Sequence, residues 1–290
     1  MNLQKILLLL LLCVSLRVFS VVEVRDAQLY RDGQPWRPIG VNIHPLSCEK
    51  QAFQAATEYG WNSLRITPAN TSELKKWVNW AKRTDIKLCV VICSEFNTDG
   101  LKEFQKKKEI WAWEVNACSK AAEIRKQCPN HLIICTVDVI KQTTLERAVD
   151  DAIMCSSIDI LSISLNPLEM GWVSPSNLYL GLRNCYMKTV ELLQQIERRM
   201  SLSEKLLMVS ACAYPRDNMF RLPESSTSLR DSYFQFVLNF TCPSSGKRLS
   251  GVHFQCWELP PVGDDDKLPT TMSIYPTDTV TQRVLGLGGE

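Results

Sequence analysis

Three runs decide the fold: Ile110-Trp111-Ala112-Trp113-Glu114-Val115, Leu132-Ile133-Ile134-Cys135-Thr136-Val137 and Ile158-Asp159-Ile160-Leu161-Ser162-Ile163. Each is short and almost wholly apolar, as in a strand covered on both faces within a parallel sheet sheathed by helices. Residues 119–127 and 144–155, which separate them, have the length and charge of the crossover helices that parallel strands require. Working outward, the alternation continues in both directions. Residues 38–43, 63–66 and 87–93 read as strands before the core stretch, and 206–209 and 251–257 after it. Helices are expected over 49–59, 178–200 and 229–240, with an abbreviated charged helix after 93. The helix after residue 66 sets Leu74, Trp77, Val78 and Ala81 on one face at i, i+3, i+4 and i+7. The long helix over 178–200 stacks Leu182, Tyr186, Val190, Leu193 and Ile196.

Eight strands with intervening helices predict a single closed (β/α)8 barrel over residues 21–290. A doubly wound open sheet is the alternative, but no strand is followed by a Gly-rich phosphate turn. Residues 22–24 and 28–30, with Asp32-Gly33 as turn chemistry, add a small N-terminal hairpin. The first twenty residues stand apart. Lys5, an apolar run from Ile6 to Leu16 and a small residue at Ser20 read as a signal peptide, so the chain is expected to be secreted. No later stretch is long and apolar enough for a membrane span.

The net charge of +2 argues against a nucleic-acid surface, and Lys106-Lys107-Lys108 and Asp264-Asp265-Asp266 read as solvated loops. Of twelve cysteines, Cys13 lies in the leader. The odd remainder in an oxidising compartment predicts bridges plus one thiol left free or used in a disulfide-linked dimer. Cys48, Cys128, Cys155, Cys185 and Cys242 are the better bridge candidates, whereas Cys89, Cys93, Cys135, Cys212 and Cys256 fall in strands. Asn70-Thr71-Ser72 and Asn239-Phe240-Thr241 are glycosylation sequons. His44, His131 and His253 are too scattered for a metal, no Cys or His cluster has ligand spacing, and no cofactor motif is present.

Several motifs resemble glycoside hydrolase family 5, its mannanase-like branch in particular. Asp32-Gly33-Gln34-Pro35-Trp36-Arg37-Pro38-Ile39-Gly40-Val41-Asn42 looks like that family's opening, and Tyr59-Gly60-Trp61-Asn62-Ser63-Leu64-Arg65-Ile66 is similar to its second strand. Asp159-Ile160-Leu161-Ser162-Ile163-Ser164-Leu165-Asn166-Pro167 resembles the sixth strand. Gly251-Val252-His253-Phe254-Gln255-Cys256-Trp257 resembles the eighth, and Ser273-Ile274-Tyr275-Pro276-Thr277-Asp278 the tail beyond it. The resemblance implies a barrel whose chemistry rests on two glutamates, an acid/base after the fourth strand and a nucleophile on the seventh.

Neither glutamate is present. In Trp113-Glu114-Val115-Asn116-Ala117-Cys118 the acid position falls on Ala117 or, counted without a gap, on Cys118. In Met208-Val209-Ser210-Ala211-Cys212-Ala213-Tyr214-Pro215 the nucleophile position is Ala211. Ser164 and Asn166 stand where the family's histidine and tyrosine would be, whereas the family's supporting arginine is matched by Arg65. The expected activity is therefore binding without hydrolysis, of an oligo- or polysaccharide of β-mannan or β-glucan type or of a protein partner. Arg65, Asn116, Trp172, Trp257 and His44 are the expected ligand contacts, with Gln255 an equal positional match for Trp257. Two other readings stay open. One is an active endo-glycosidase using relocated carboxylates drawn from Glu95, Asp138 and Glu258, near strand ends. The other is a secreted structural or interaction protein with no ligand in its cleft.

Overall fold

The computed structural model describes residues 22–45, 47–137, 139, 142–219, 221, 223, 225–259 and 271–286. The leader, Asp138 and residues 264–266 lie outside the described residues. The chain opens with β1 (Val22–Arg25), β2 (Gln28–Arg31) and β3 (Gln34–Pro35), a three-stranded antiparallel sheet. Asp26 and Ala27 both take positive φ (50° and 56°) in the first turn, and Asp32 and Gly33 (54° and 78°) do so in the second. Two-residue hairpin turns of the twist-matching kind need that conformation at both central positions. Asp32-Gly33 thus turns into a third strand rather than closing the first hairpin.

Eight parallel strands follow: β4 (Ile39–Ile43), β5 (Ser63–Ile66), β6 (Lys87–Val91), β7 (Ile110–Val115), β8 (Leu132–Val137), β9 (Ile160–Leu165), β10 (Leu206–Cys212) and β11 (Val252–Trp257). They close in chain order into a barrel, β11 pairing with β4. Around them run α1 (Glu49–Tyr59), α2 (Thr71–Ala81), α3 (Cys118–Gln127), α4 (Gln142–Met154), α5 (Leu178–Met200), α6 (Ser228–Leu238) and α7 (Thr279–Gly286), with a 3-10 helix over Thr98–Phe104 between β6 and β7. The structure is the (β/α)8 barrel expected, with the expected N-terminal sheet.

Local chemistry explains several boundaries. Gly60 ends α1 in the left-handed conformation (φ 74°), its N–H reaching the Ala56 carbonyl, an ending that glycine adopts without strain. Asn70 caps α2 by accepting from the Glu73 N–H at 3.0 Å, while the Glu73 carboxylate reaches back to the Ala69 N–H at 2.7 Å. Gly40 allows β4 to lie against β5, because a Cβ there would sit 1.6 Å from the Ser63 carbonyl oxygen. Strand β9 starts at Ile160 rather than 158, and just before it the Asp159 carboxylate accepts from Arg125 and from the Ile133 N–H.

The core has two parts. The larger lies between strands and helices and includes Phe53, Leu74, Trp77, Val78, Trp113, Ile163 and Phe234. The smaller fills the barrel's N-terminal end with Cys89, Trp111, Leu132, Ile134, Ile160, Leu206 and Met208, onto which Val22 and Leu29 of the N-terminal sheet pack. Trp36 adds an edge-on contact to Trp111 at 5.3 Å. One end of the barrel is thereby plugged with apolar side chains. Chemistry is left to the other end, where the strands finish.

Candidate functional site

Inside the barrel, above the apolar plug, the strands carry polar side chains. Arg65 of β5 reaches across to Glu114 of β7 and donates twice, Nε to Oε2 at 2.8 Å and Nη2 to Oε1 at 2.6 Å. Thr136 of β8 donates to the same Oε1 at 2.5 Å and stands 3.4 Å from Ser210 of β10, which bonds Ser162 of β9 at 2.5 Å. The Cys89 thiol donates to Glu114 Oε2 at 3.5 Å. A second set lies deeper: Ser63 Oγ meets His253 Nε2 at 2.8 Å and accepts from Trp111 Nε1 at 3.1 Å.

These contacts set the charge states. Burial alone would raise the Glu114 carboxyl, but the Arg65 charge and hydrogen bonds, with the Thr136 bond, overcome it and hold the pKa down at about 2. His253 is fully buried; burial, with the Arg65 charge, lowers it to about 3, so its imidazole is neutral at physiological pH. Glu114 is 1 % exposed. Its oxygens are committed to a bidentate ion pair and two further donors. It is an ionised structural anion, with neither the raised pKa of a general acid nor a free face for attack.

The expected active-site positions carry no carboxyl group. Ala211 is buried at the end of β10, paired with Ser164 of β9. Asn116 and Ala117 are exposed just past β7, and Ala117 is the N-cap residue of α3. The Cys118 thiol donates to the Asp151 carbonyl of α4 at 3.5 Å. It is therefore turned to the helical layer, which leaves Asn116-Ala117 as the pair at the strand end. Of the proposed relocated carboxylates, Glu95 is exposed in the turn after β6 and Glu258 accepts a bond from Ser273.

Two expected ligand contacts have other surroundings. Trp257 is 1 % exposed and belongs to the outer core, its Nε1 donating to Gln282 of α7 at 3.3 Å. The pairing of β11 with β4 is irregular between Phe254 and Trp257, which breaks the inward–outward alternation. Gln255, the equal positional match, is half-buried in its place. Trp172, in the loop after β9, lines a cleft of about 240 Å³ with Val139 just past β8, Leu145 of α4 and Lys188, Glu191 and Leu192 of α5. His44 is half-buried just past β4, with its N–H on the Trp257 carbonyl at 3.1 Å.

One mouth residue was missed. Asn42, in register with Arg65, is 7 % exposed, and its side-chain oxygen has no hydrogen-bond partner among the described residues. A polar residue within the otherwise apolar 38–43 run was the available signal, as were Thr136, Ser162 and Ser164 in theirs. The tail Ser273-Asp278 is docked by two fully buried arginines. Arg216 pairs with Asp278 and lies over the Tyr275 ring at 4.7 Å. Arg230 bonds Asp278 at 3.0 Å and the Ser273 carbonyl at 2.7 Å. No His, Cys, Asp and Glu cluster among the described residues has the grouping of a metal site, and no described helix is long and apolar enough to cross a membrane.

No family profile matches the sequence, and no curated protein is similar to it in sequence. Solved structures are similar in fold. A glycoside hydrolase family 5 mannosidase from Rhizomucor miehei superposes with a TM-score of 0.76 at 15% identity, over 93% of this chain and 97% of that one. A mutant of that enzyme in complex with mannosyl-fructose gives 0.74 over the same shares. The endo-beta-1,4-mannanase of Thermotoga petrophila gives 0.60 at 12% identity, over 89% of this chain and 78% of that one. This chain has the barrel fold of the glycoside hydrolase family 5 mannosidases and mannanases.

Proposed function

We propose that the chain is a divergent family 5 barrel that binds a saccharide of β-mannoside type at the barrel mouth and does not hydrolyse it. The observation that carries this reading is Glu114. It is the acidic side chain that the described strands place inside the barrel, and it is locked by Arg65 and Thr136 and held ionised. A glycosidase needs a protonated carboxyl on one side of the bond and a carboxylate or activated water on the other. Ala117 and Ala211 supply neither, and loss of a general acid alone lowers rates by about 10²- to 10⁴-fold.

The mouth nonetheless keeps polar groups of the sort that hold hydroxyls. Asn42 has an unused acceptor, the Arg65 side chain is 16% exposed, and Thr136, Ser164 and Gln255 are half-buried at strand ends. A few convergent polar groups in a concave site orient a sugar without catalysis. With no aromatic platform at Trp257, affinity is modest, on the order of 10⁻⁴ to 10⁻³ M. Mannosides are the favoured class because the similar folds include a mannosidase in complex with mannosyl-fructose. Secretion belongs to the same proposal, supported by the basic and then apolar pattern of the first twenty residues.

Calorimetric titration of β-1,4-mannotetraose into the wild type, Asn42→Ala and Gln255→Ala tests the reading. Binding weakened by both substitutions supports it. Binding insensitive to both places the ligand elsewhere, and no heat at millimolar saccharide overturns it.

A further inference from the structure

All eleven described cysteines are free thiols, yet two of them converge. Cys118, at the first residue of α3, lies beside Cys155, just past the last residue of α4. Cys118 Sγ also lies 3.5 Å from the Asp151 carbonyl, in the turn that ends at Cys155, and Cys155 Sγ lies 4.0 Å from the Cys118 carbonyl. The Cys155 sulfur is thus on the Cys118 backbone, and the Cys118 sulfur is on the Asp151 carbonyl that also accepts the Cys155 N–H. Both residues are half-buried, so a small reagent has access to them. The other cysteines with described partners point elsewhere: Cys89 to Glu114, Cys128 to the Leu101 carbonyl, Cys242 to Glu197 and Ser244, and Cys256 to the Trp257 carbonyl. Cys135 of β8 is 4 % exposed behind the pair.

We propose that Cys118 and Cys155 are a redox-active pair that closes to an intramolecular disulfide, tying the start of α3 to the end of α4. The co-reactant is a disulfide donor, either a small-molecule disulfide or a protein one. One cysteine thiolate attacks a donor sulfur, forming a mixed disulfide and expelling the first donor thiolate, which takes up a proton. The second cysteine, deprotonated, attacks the protein sulfur of the mixed disulfide and expels the second donor thiolate. Two protein thiols and one donor disulfide become one protein disulfide and two donor thiols. Burial, together with the neighbouring Cys155 thiol, pushes the Cys118 thiol up, so closure is slow at neutral pH and quickens as the solution becomes alkaline.

The bond would span 37 residues of sequence and restrict the unfolded chain accordingly. Lysine Nζ of residue 205 donates to the Cys155 carbonyl at 2.8 Å, which holds the chain just past α4 against the start of β10 and limits the rearrangement closure needs.

The test uses the full purified chain, fully reduced and then exposed to oxidised glutathione, with remaining thiols blocked by N-ethylmaleimide. Non-reducing peptide mass spectrometry should recover one crosslinked species joining the peptides of Cys118 and Cys155. The melting temperature of the oxidised protein should exceed that of the reduced protein by about 5–10 °C. Cys118→Ser should abolish both effects while melting like the reduced wild type. Because the crosslink is read on the wild type, a poorly folding variant does not decide the outcome. Separate blocking or glutathionylation of Cys118 and Cys155, or a crosslink between other cysteines, would overturn the proposal. The result is independent of whether the protein is secreted or binds saccharide.

Discussion

Glu114→Gln replaces the counter-ion of a buried arginine with a neutral amide of the same shape. Its magnitude follows from the carboxyl's own environment. The fall from an ordinary 4.5 to about 2 in the folded state corresponds to roughly 3 kcal/mol of stability at neutral pH. Breaking a buried ion pair by removing one partner costs about 3–5 kcal/mol by general experience, which agrees. The sign is fixed by the direction of the shift. A depressed carboxyl stabilises fully above its unfolded value, and the contribution drains as pH falls from 4.5 toward 2. Urea unfolding at pH 7 and at pH 3 reads this directly. The wild type should exceed Glu114→Gln by about 3 kcal/mol at pH 7 and by only about 1.5 kcal/mol at pH 3. Equal stabilities at pH 7, or a gap that ignores pH, would refute the assignment of Glu114 as a structural anion.

His253, lowered from 6.5 to about 3, makes unfolding take up a proton below pH 6.5, so stability should fall by about 1.4 kcal/mol per pH unit from there toward 3; His253→Gln should remove that part of the slope in urea titrations at pH 5 to 6.5. Trp257→Ala should destabilise by about 3–5 kcal/mol, since a large buried side chain is lost from the core, and Trp172→Ala should leave saccharide affinity at the mouth unchanged in the same calorimetric assay. Expression in a secretory host should yield glycan at Asn70, whose side-chain oxygen caps α2 while its nitrogen stays available. Asn239 commits its amide nitrogen to the Gln235 carbonyl at 3.0 Å, so the glycosidase-sensitive mass shift should vanish in Asn70→Gln and persist in Asn239→Gln.

The barrel was legible because its strands are continuous apolar runs and its helices are periodic, so both patterns speak without tertiary knowledge. Helix α5 shows where that stops. Of its expected face, Leu193 and Ile196 are buried, but Leu182, Tyr186 and Val190 are only half-buried, while Gly181, Cys185, Thr189 and Leu192 are buried. Specific partners shift the face in the first half of the helix: a Cβ at Gly181 would come within 2.6 Å of Val173, and Thr189 bonds the Tyr233 hydroxyl at 2.9 Å. Hydropathy carries no record of such contacts.

The site was legible only as an absence. That Ala211 and Ala117 carry no carboxyl group follows from the residues themselves. That Arg65 takes Glu114 as its partner does not, because it depends on which strand faces which across the barrel. The burial of Trp257 was hidden for a related reason. Strict alternation puts it inside with His253 and Gln255, and the irregular pairing after Phe254 reverses its direction. Asn42 was overlooked because a single polar residue in an apolar strand has no periodic signature, and its unused oxygen is visible only once its neighbours are in place.

Retained binding and lost hydrolysis are both read by one experiment. β-1,4-Mannotetraose is held with the purified protein for a day and followed by proton NMR. Ligand lines should broaden with protein concentration, and no new reducing-end signals should appear in the anomeric region. Reducing-end signals that grow in proportion to protein, above a heat-inactivated control, would contradict it.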